Sequence, residues 1–389
     1  MTSPLKIYLI AGEASGDLLG ARLMRALKSR SDRPIAFYGV GGDQMAAEGL
    51  ASLFPFYELS MMGFIEILPY IFNLAARIQQ TVDDIMAKQP DMVITIDSPG
   101  FNFRVAAKLR RENCRARLVH YVAPSVWAYK PKRAKKCAAL FDHLLCLLPF
   151  EPPYFEKEGL SCTWVGHPVV AETEPGDGAG FREKYRIAEN ATLLALLPGS
   201  RKGEVKRHMP IFAKAVTLLA AECPNLALVI AVPKNVLPFA AAYFEGCPFH
   251  AVITAGEREK QDAIAAANAA IVKSGTVALE VSLARVPMVV AYRVNALSAW
   301  LFRRIQLTKF ANLVNIIAGR EIIPELLQEL CAPIFIAGAT AALLSDPRRR
   351  NMQQEESAAA LAQLVPPGGR PSDLAAEAIL RTHGKNNAA

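Results

Sequence analysis

Along most of the chain, apolar runs of strand length alternate with longer stretches in which apolar residues recur at helical spacing, separated by turns containing Gly and Pro. Uninterrupted apolar strands of this kind belong to a parallel sheet covered by helices on both faces. In the first part the predicted strands are KIYLIAG at 6–12, FYGVGG at 37–42, DMVITID at 91–97, LVHYVA at 118–123 and HLLCLL at 143–148, the last of that half. The second part repeats the logic with LLALL at 193–197, ALVIAV at 227–232, FHAVIT at 249–254, AAIVK at 269–273 and PMVVAY at 287–292. The polar, Gly-rich stretch from Glu172 to Gly180 reads as a linker. The expected fold is α/β, with Rossmann-like doubly wound domains over 1–171 and 181–345. The charged and then alanine-rich tail, interrupted by PPGGRP at 366–371, predicts terminal helices over 346–385.

The loops that follow the apolar strands carry the candidate chemistry. In LLALLPGSRKGE, Gly199 and Ser200 let backbone N–H groups point outward where a helix starts, and Arg201 adds a forked cation. A phosphate is the natural guest; an ordinary loop with a solvated Arg is the alternative. A second loop of the same kind, KSGTVALE, brings Ser274, Gly275 and Thr276 to another helix start. In a parallel sheet both loops gather at the carboxyl edge, where one polyphosphate can be shared. Glu280, about a turn into that helix, suits ribose hydroxyls or, equally, the helix dipole. Asp97 ends a strand immediately before Ser98, Pro99 and Gly100, where a carboxylate either accepts a proton or caps the next helix. Gly12, Gly16 and Gly20 recur at one-turn spacing, which permits close packing or close ligand approach. Ser15 and Asp17 beside them are good helix caps. The pattern is not G-x-G-x-x-G, so no nicotinamide site is indicated.

Charge and composition narrow the classes. A net charge of +8 asks for an acidic partner. Basic residues cluster in YKPKRAKK at 129–136 and around Arg303 and Arg304, beside Trp127, Tyr129, Trp300 and Phe302, a combination suited to anionic headgroups. No RNA-binding or zinc-finger signature supports nucleic acid. The seven cysteines form no C-x-x-C, which argues against a disulfide framework or zinc site and fits a reducing compartment. The N-terminus resembles neither a signal peptide nor an anchor. No apolar run approaches the ~20 residues that span a bilayer. MMGFIEILPYIFNL at 61–74 comes nearest, and reads as a core helix, a partner interface or a surface helix dipping into the acyl boundary. His120, inside an apolar strand, reads as a core histidine, whereas His167 in VGHP sits in a tight turn.

Taken together, AGEASGD at 11–17, LLPFE at 147–151, VGHP at 165–168, LPGSR at 197–201 and KSGTVALE at 273–280 resemble lipid-A-disaccharide synthase, in the family's order and over nearly the whole chain. The resemblance implies a GT-B glycosyltransferase, with the domains facing a cleft and the terminal helices returning to the first domain. The implied reaction is inverting transfer of 2,3-diacylglucosamine from its UDP donor to 2,3-diacylglucosamine 1-phosphate, forming a β(1→6) bond. It implies catalytic roles among Asp97, Glu13, Ser15, Asp17 and Asn315, with Asp97 as base. It also implies UDP binding by Gly199, Ser200, Arg201, Ser274, Gly275, Thr276 and Glu280. Donor or acceptor positioning falls to Gly16, His167, Glu325 and Gln328, the last two on one helix face. Because the family's substrates carry fatty acyl chains, Met61, Met62, Phe64, Ile65, Leu68, Ile71 and Phe72 are expected to touch an anionic membrane surface. No cofactor is expected, and without an Asp-x-Asp motif no metal clamp. Cytoplasmic residence at the inner membrane of a Gram-negative bacterium follows from the same resemblance; a homodimer stays open. The sequence departs from the family at Ser98 and Gly100, where Ala and a second Asp are usual, and at Val314, where Pro is usual. A UDP-sugar 2-epimerase of the same fold, or a non-catalytic basic membrane- or RNA-associated protein, are the alternatives.

Overall fold

The computed structural model describes residues 3–60, 67–295, 299–300 and 304–384. The chain divides into two compact units, Met1–Ala171 with Leu364–Ala389, and Glu172–Gln363. In the first unit β1 (Leu5–Ala11), β2 (Ile35–Val40), β3 (Met92–Ile96), β4 (Arg117–Tyr121), β5 (His143–Cys146) and β6 (Cys162–Trp164) form one parallel sheet in the order β2-β1-β3-β4-β5-β6. The second contains β7 (Thr192–Leu197), β8 (Leu226–Ala231), β9 (His250–Thr254), β10 (Ala269–Val272), β11 (Met288–Tyr292) and β12 (Glu325–Leu327), also parallel, in the order β12-β11-β10-β7-β8-β9. Every residue of β3, β8 and β10 is buried, as expected of apolar strands covered on both faces. Ile10, Val93, Phe101 and Leu118 belong to one core, and Leu194, Phe212, Leu228 and Ile271 to the other.

The strand orders fix where a ligand can sit. In the first unit the chain runs from β1 to β2 on one side and resumes with β3 on the other, so the order reverses between β1 and β3. In the second the reversal falls between β7 and β10. Helices leave such a pair of strands toward opposite faces, and a crevice opens beyond their carboxyl ends.

Two expectations are corrected. The edge strands β6 and β12 were not foreseen: each has only three residues, all half-buried, without an uninterrupted apolar run. The terminal helices also part company. Pro371–Gly384 does pack on Ala14–Arg30 of the first unit, where Arg30 Nε lies 3.3 Å from Asp373 Oδ1. Pro347–Ala362 instead stays with the second unit. Its buried Gln353 accepts the Met288 N–H (2.7 Å) and donates to the Met288 carbonyl (3.0 Å), clamping the start of β11.

Gly39, at φ +137 in β2, lies so close to β1 that a Cβ there would sit 1.8 Å from the Leu9 carbonyl oxygen. Gly39→Ala is expected to cost about 2–3 kcal/mol through strain and lost pairing. A lower urea midpoint at unchanged slope is the check.

Candidate active site

At the carboxyl edge of the first sheet, the loops after β1 and β3 touch. A Cβ at Gly12 would lie 2.8 Å from Ser98 Oγ, so a side chain there would have to displace the serine hydroxyl. Asp97 directly follows β3, half-buried, with its N–H donating to the Tyr121 carbonyl and its own carbonyl accepting from Asn102 Nδ2 (2.7 Å). Asp97 (φ +48) and Ser98 (φ +44) are both left-handed, a conformation that costs a non-glycine residue about 1 kcal/mol or more. Strain of this kind is often found where a side chain is held for chemistry. Glu13 occupies the N-cap position of the helix Ala14–Arg30 on the neighbouring loop without a side-chain capping bond, and Ser15 is exposed in its first turn. A Cβ at Gly100 would meet nothing within 4 Å, so the position has room for the family's usual Asp.

Asp17 is a correction. It is 4% exposed. Its Oδ1 accepts the N–H groups of Gly42 (2.8 Å) and Met45 (3.1 Å), and its Oδ2 accepts that of Gln44 (3.0 Å). It caps not its own helix but the neighbouring helix Asp43–Ala47, and holds the loop after β2 in place. Gly16 is buried beneath it against Ala11 and Ile96. His167 is 6% exposed; its N–H donates to the Leu364 carbonyl (3.1 Å), and burial lowers its pKa to about 4. It is therefore a neutral side chain at the point where the last helix joins this unit.

In the second unit both expected phosphate loops stand at the switch point. Gly199, at φ +120, turns the chain out of β7 into the helix Lys202–Glu222, with Ser200 and Arg201 exposed at its start. Beside it Lys273 directly follows β10, and the turn 274–276 leads into Val277–Leu283. Gly275 and Thr276 are exposed, and Ser274 Oγ donates to the Ala311 carbonyl (3.0 Å). Glu280 is 8% exposed, and its Oε2 accepts from Lys260 Nζ (2.6 Å) and Gln261 Nε2 (2.7 Å). Burial opposes the Lys260 charge, yet Glu280 and Glu257 beside it keep its pKa above the ordinary value.

The segment 311–328 departs from expectation. Asn315 is 0% exposed, and its amide is spent on the chain itself. Nδ2 donates to the Ile323 carbonyl (2.8 Å) and to Glu325 Oε1 (2.9 Å), while Oδ1 accepts the Ile322 and Ile323 N–H groups. It braces the loop that runs from 315 to 325. Glu325 opens a strand rather than a helix; it accepts the N–H groups of Ala311 (2.8 Å) and Asn312 (2.9 Å), and burial raises its pKa. Gln328, left-handed at φ +52, accepts the Val294 N–H (3.3 Å). These polar residues satisfy backbone groups of a loop without regular ladders, which buried amides require.

Several groups under these loops were not singled out in the sequence. Glu204 pairs with Lys273 (3.0 Å) and lies 3.9 Å from Arg201 Nη1. Burial opposes its charge, but Lys273 and then Arg201 hold its pKa below the carboxylate norm. Fully buried His208 donates from Nδ1 to the Glu204 carbonyl (2.9 Å), accepts the Arg293 N–H at Nε2 (3.1 Å) and stacks on Tyr292; burial lowers its pKa to about 4. The available signal was opposite charges just past the ends of two apolar strands. In the first unit, buried Glu151 of LLPFE accepts the Leu147 and Leu148 N–H groups and that of the Trp127 indole (3.2 Å), tying the two loops together.

Burial raises the Glu151 carboxyl from 4.5 to about 7. A carboxyl raised on folding stabilises the fold fully below its unfolded value, and that contribution is lost as pH rises through the folded one. Glu151→Gln should therefore gain about 3 kcal/mol relative to the parent between pH 4.5 and 7.5, measured by urea unfolding at both ends.

Of the expected membrane residues, Met61, Met62, Phe64 and Ile65 lie outside the described residues. Leu68, Ile71 and Phe72 fall in the opening turns of Ile67–Lys88. Among the described residues no helix is long and apolar enough to cross a membrane. Trp300 is half exposed, with the Arg304 guanidinium 4.0 Å from its ring centre.

Two parallel doubly wound sheets define the GT-B class, shared by nucleotide-sugar glycosyltransferases and epimerases. The fold matches a co-structure of S. aureus MnaA with UDP (TM-score 0.66, 15% identity, 99% of this chain and 97% of that one). It also matches UDP-GlcNAc 2-epimerase from Neisseria meningitidis (TM-score 0.64, 12% identity, 98% and 100%). The family model described as lipid-A-disaccharide synthetase covers residues 7–377. Lipid-A-disaccharide synthase of Rhodospirillum centenum is 47% identical over 378 residues, 97% of this chain and 94% of that one; that of Gluconobacter oxydans is 43% identical over 375 residues, 96% and 90%. The chain belongs to the lipid-A-disaccharide synthase family, and it is a glycosyltransferase; the epimerase alternative is not favoured.

Proposed function

We propose that the chain transfers 2,3-diacylglucosamine from UDP-2,3-diacylglucosamine to 2,3-diacylglucosamine 1-phosphate by a single inverting displacement. The observation that carries the reading is placement: Asp97 stands at the switch point of one sheet, and both Gly-containing loops stand at the switch point of the other. The acceptor 6-hydroxyl oxygen attacks the donor anomeric carbon as the bond to the β-phosphate oxygen breaks. Asp97 takes the hydroxyl proton, with Glu13 and Ser15 orienting the sugars from the adjacent loop. The departing UDP is held by Gly199, Ser200, Arg201, Gly275 and Thr276, through backbone N–H groups and a guanidinium aimed at the developing charge. Ser274 holds the second loop, and Glu280 accepts a ribose hydroxyl. No metal ion is required. Acyl chains are met at the inner membrane, which the chain approaches from the cytoplasm through the segment 61–72 and its basic clusters.

The test is UDP release by purified protein in detergent micelles with a chelator, with and without the acceptor. Release that requires acceptor and survives chelation, with a β-linked product, is expected. Release without acceptor, or a product epimerised at carbon 2, would replace this reading. Loss of turnover on chelation would remove the metal-independent step.

A further inference from the structure

The pair formed by Glu204 and Lys273 sits where the two loops of the second unit come together. Lys273 is the residue immediately after β10, and its N–H donates to the Leu197 carbonyl at the end of β7, so its backbone belongs to both edges of the switch point. Its ammonium is 3.0 Å from Glu204 Oε1 and 5.2 Å from the centre of the Tyr292 ring. A Cβ built at Gly275 would lie 3.6 Å from Nζ, so a side chain there would cover the ammonium where glycine leaves it open. On the other loop a Cβ at Gly199 would lie 2.6 Å from Glu204 Oε2. A carboxylate thus underlies one glycine turn and an ammonium the other. Both side chains are mostly buried, at 13% and 18% exposure, so the pair is held rather than swept by solvent.

A carboxylate beneath an anion-binding turn repels the anion unless it is paired. An ammonium, by contrast, has three donors. Glu204 takes one, the face of Tyr292 lies on a second side, and the remaining direction runs toward the turn 274–276. We infer that Lys273 is a further ligand of the donor diphosphate, and that Glu204 is the positioning residue that holds it there. The inference rests on the reading of this edge as the UDP site. It adds a mostly buried cation beneath the loops to Arg201, which is 59% exposed. His208 completes the support, since its ring links the Glu204 carbonyl to the Arg293 N–H and stacks on the same Tyr292.

The experiment is calorimetric titration of the full chain with UDP and, by competition, with uridine, alongside thermal unfolding. Lys273→Met should weaken UDP at least about tenfold, the worth of a charge-assisted hydrogen bond, and leave uridine within twofold. That variant strands a buried carboxylate, so its melting temperature should also fall. The double variant E204Q/K273M removes the stranded charge; its melting temperature should return toward the parent while UDP stays at least fivefold weaker. Recovery of UDP affinity together with the melting temperature would overturn the inference, making Lys273 a strut only. So would equal losses of UDP and uridine, or unchanged UDP binding in Lys273→Met. If the parent itself does not bind UDP, the donor-site reading fails first and the inference with it.

Discussion

Replacing Asp97 by asparagine should lower turnover by about 10²–10⁴-fold, the usual worth of a general base, while UDP affinity changes less than twofold. The argument is positional. β3 delivers Asp97 just beyond the sheet, the strand order reverses between β1 and β3, and the neighbouring loop at Gly12 touches Ser98. The two glycine turns proposed to hold the diphosphate belong to the other unit, so the proposed base can be replaced without disturbing them. Asparagine is the right substitution because the native φ is +48, a left-handed conformation that Asn tolerates and Ala resists. A kcat loss with unaltered melting temperature and UDP affinity is the expected signature, read from acceptor-dependent UDP release. Turnover within tenfold of the parent would pass the role of base to Glu13, and Glu13→Gln would then carry the loss.

Asp17→Ala should cost the first unit about 4 kcal/mol of stability. Three backbone N–H groups, those of Gly42, Gln44 and Met45, would lose their acceptor together; Gly42 and Met45 are buried, and each unsatisfied buried donor costs about 1–3 kcal/mol. Part of that is recovered as water enters beside the shortened side chain. Asp17→Asn keeps one acceptor oxygen and should fall between parent and alanine. Urea unfolding followed by circular dichroism gives the stability, and UDP titration reports the second unit, which should be unaffected. If Asp17→Ala keeps its midpoint and loses only kcat, Asp17 is catalytic after all and its capping bonds are incidental.

The alternation of elements, the strands β1 to β5 and β7 to β11, and the two Gly-containing turns were readable because burial on both faces leaves an uninterrupted apolar run whatever the strand's neighbours are. His120 was readable for the same reason: it is fully buried in β4, where its Nδ1 meets Thr95 Oγ1 at 2.7 Å. Edge strands β6 and β12 escaped, because a half-buried strand of three residues carries too few apolar positions to register. The hydrogen-bond partners of Asp17 and Asn315 were not legible for a different reason. Both are polar residues beside expected site residues, and nothing local distinguishes a side chain aimed at a ligand from one that satisfies buried amides of another segment.

What the amino-acid sequence determined by itself is the class of fold, the family, and the short glycine turns between strand and helix, since each depends on residues close together in the chain. Only the tertiary structure decided that β1 lies against β3 and β7 against β10, that Glu204 meets Lys273 beneath both glycine turns, and that Asp17 and Asn315 face inward. Strand order and the pairing of distant charges are properties of chain crossings and burial, and local spacing carries no record of them.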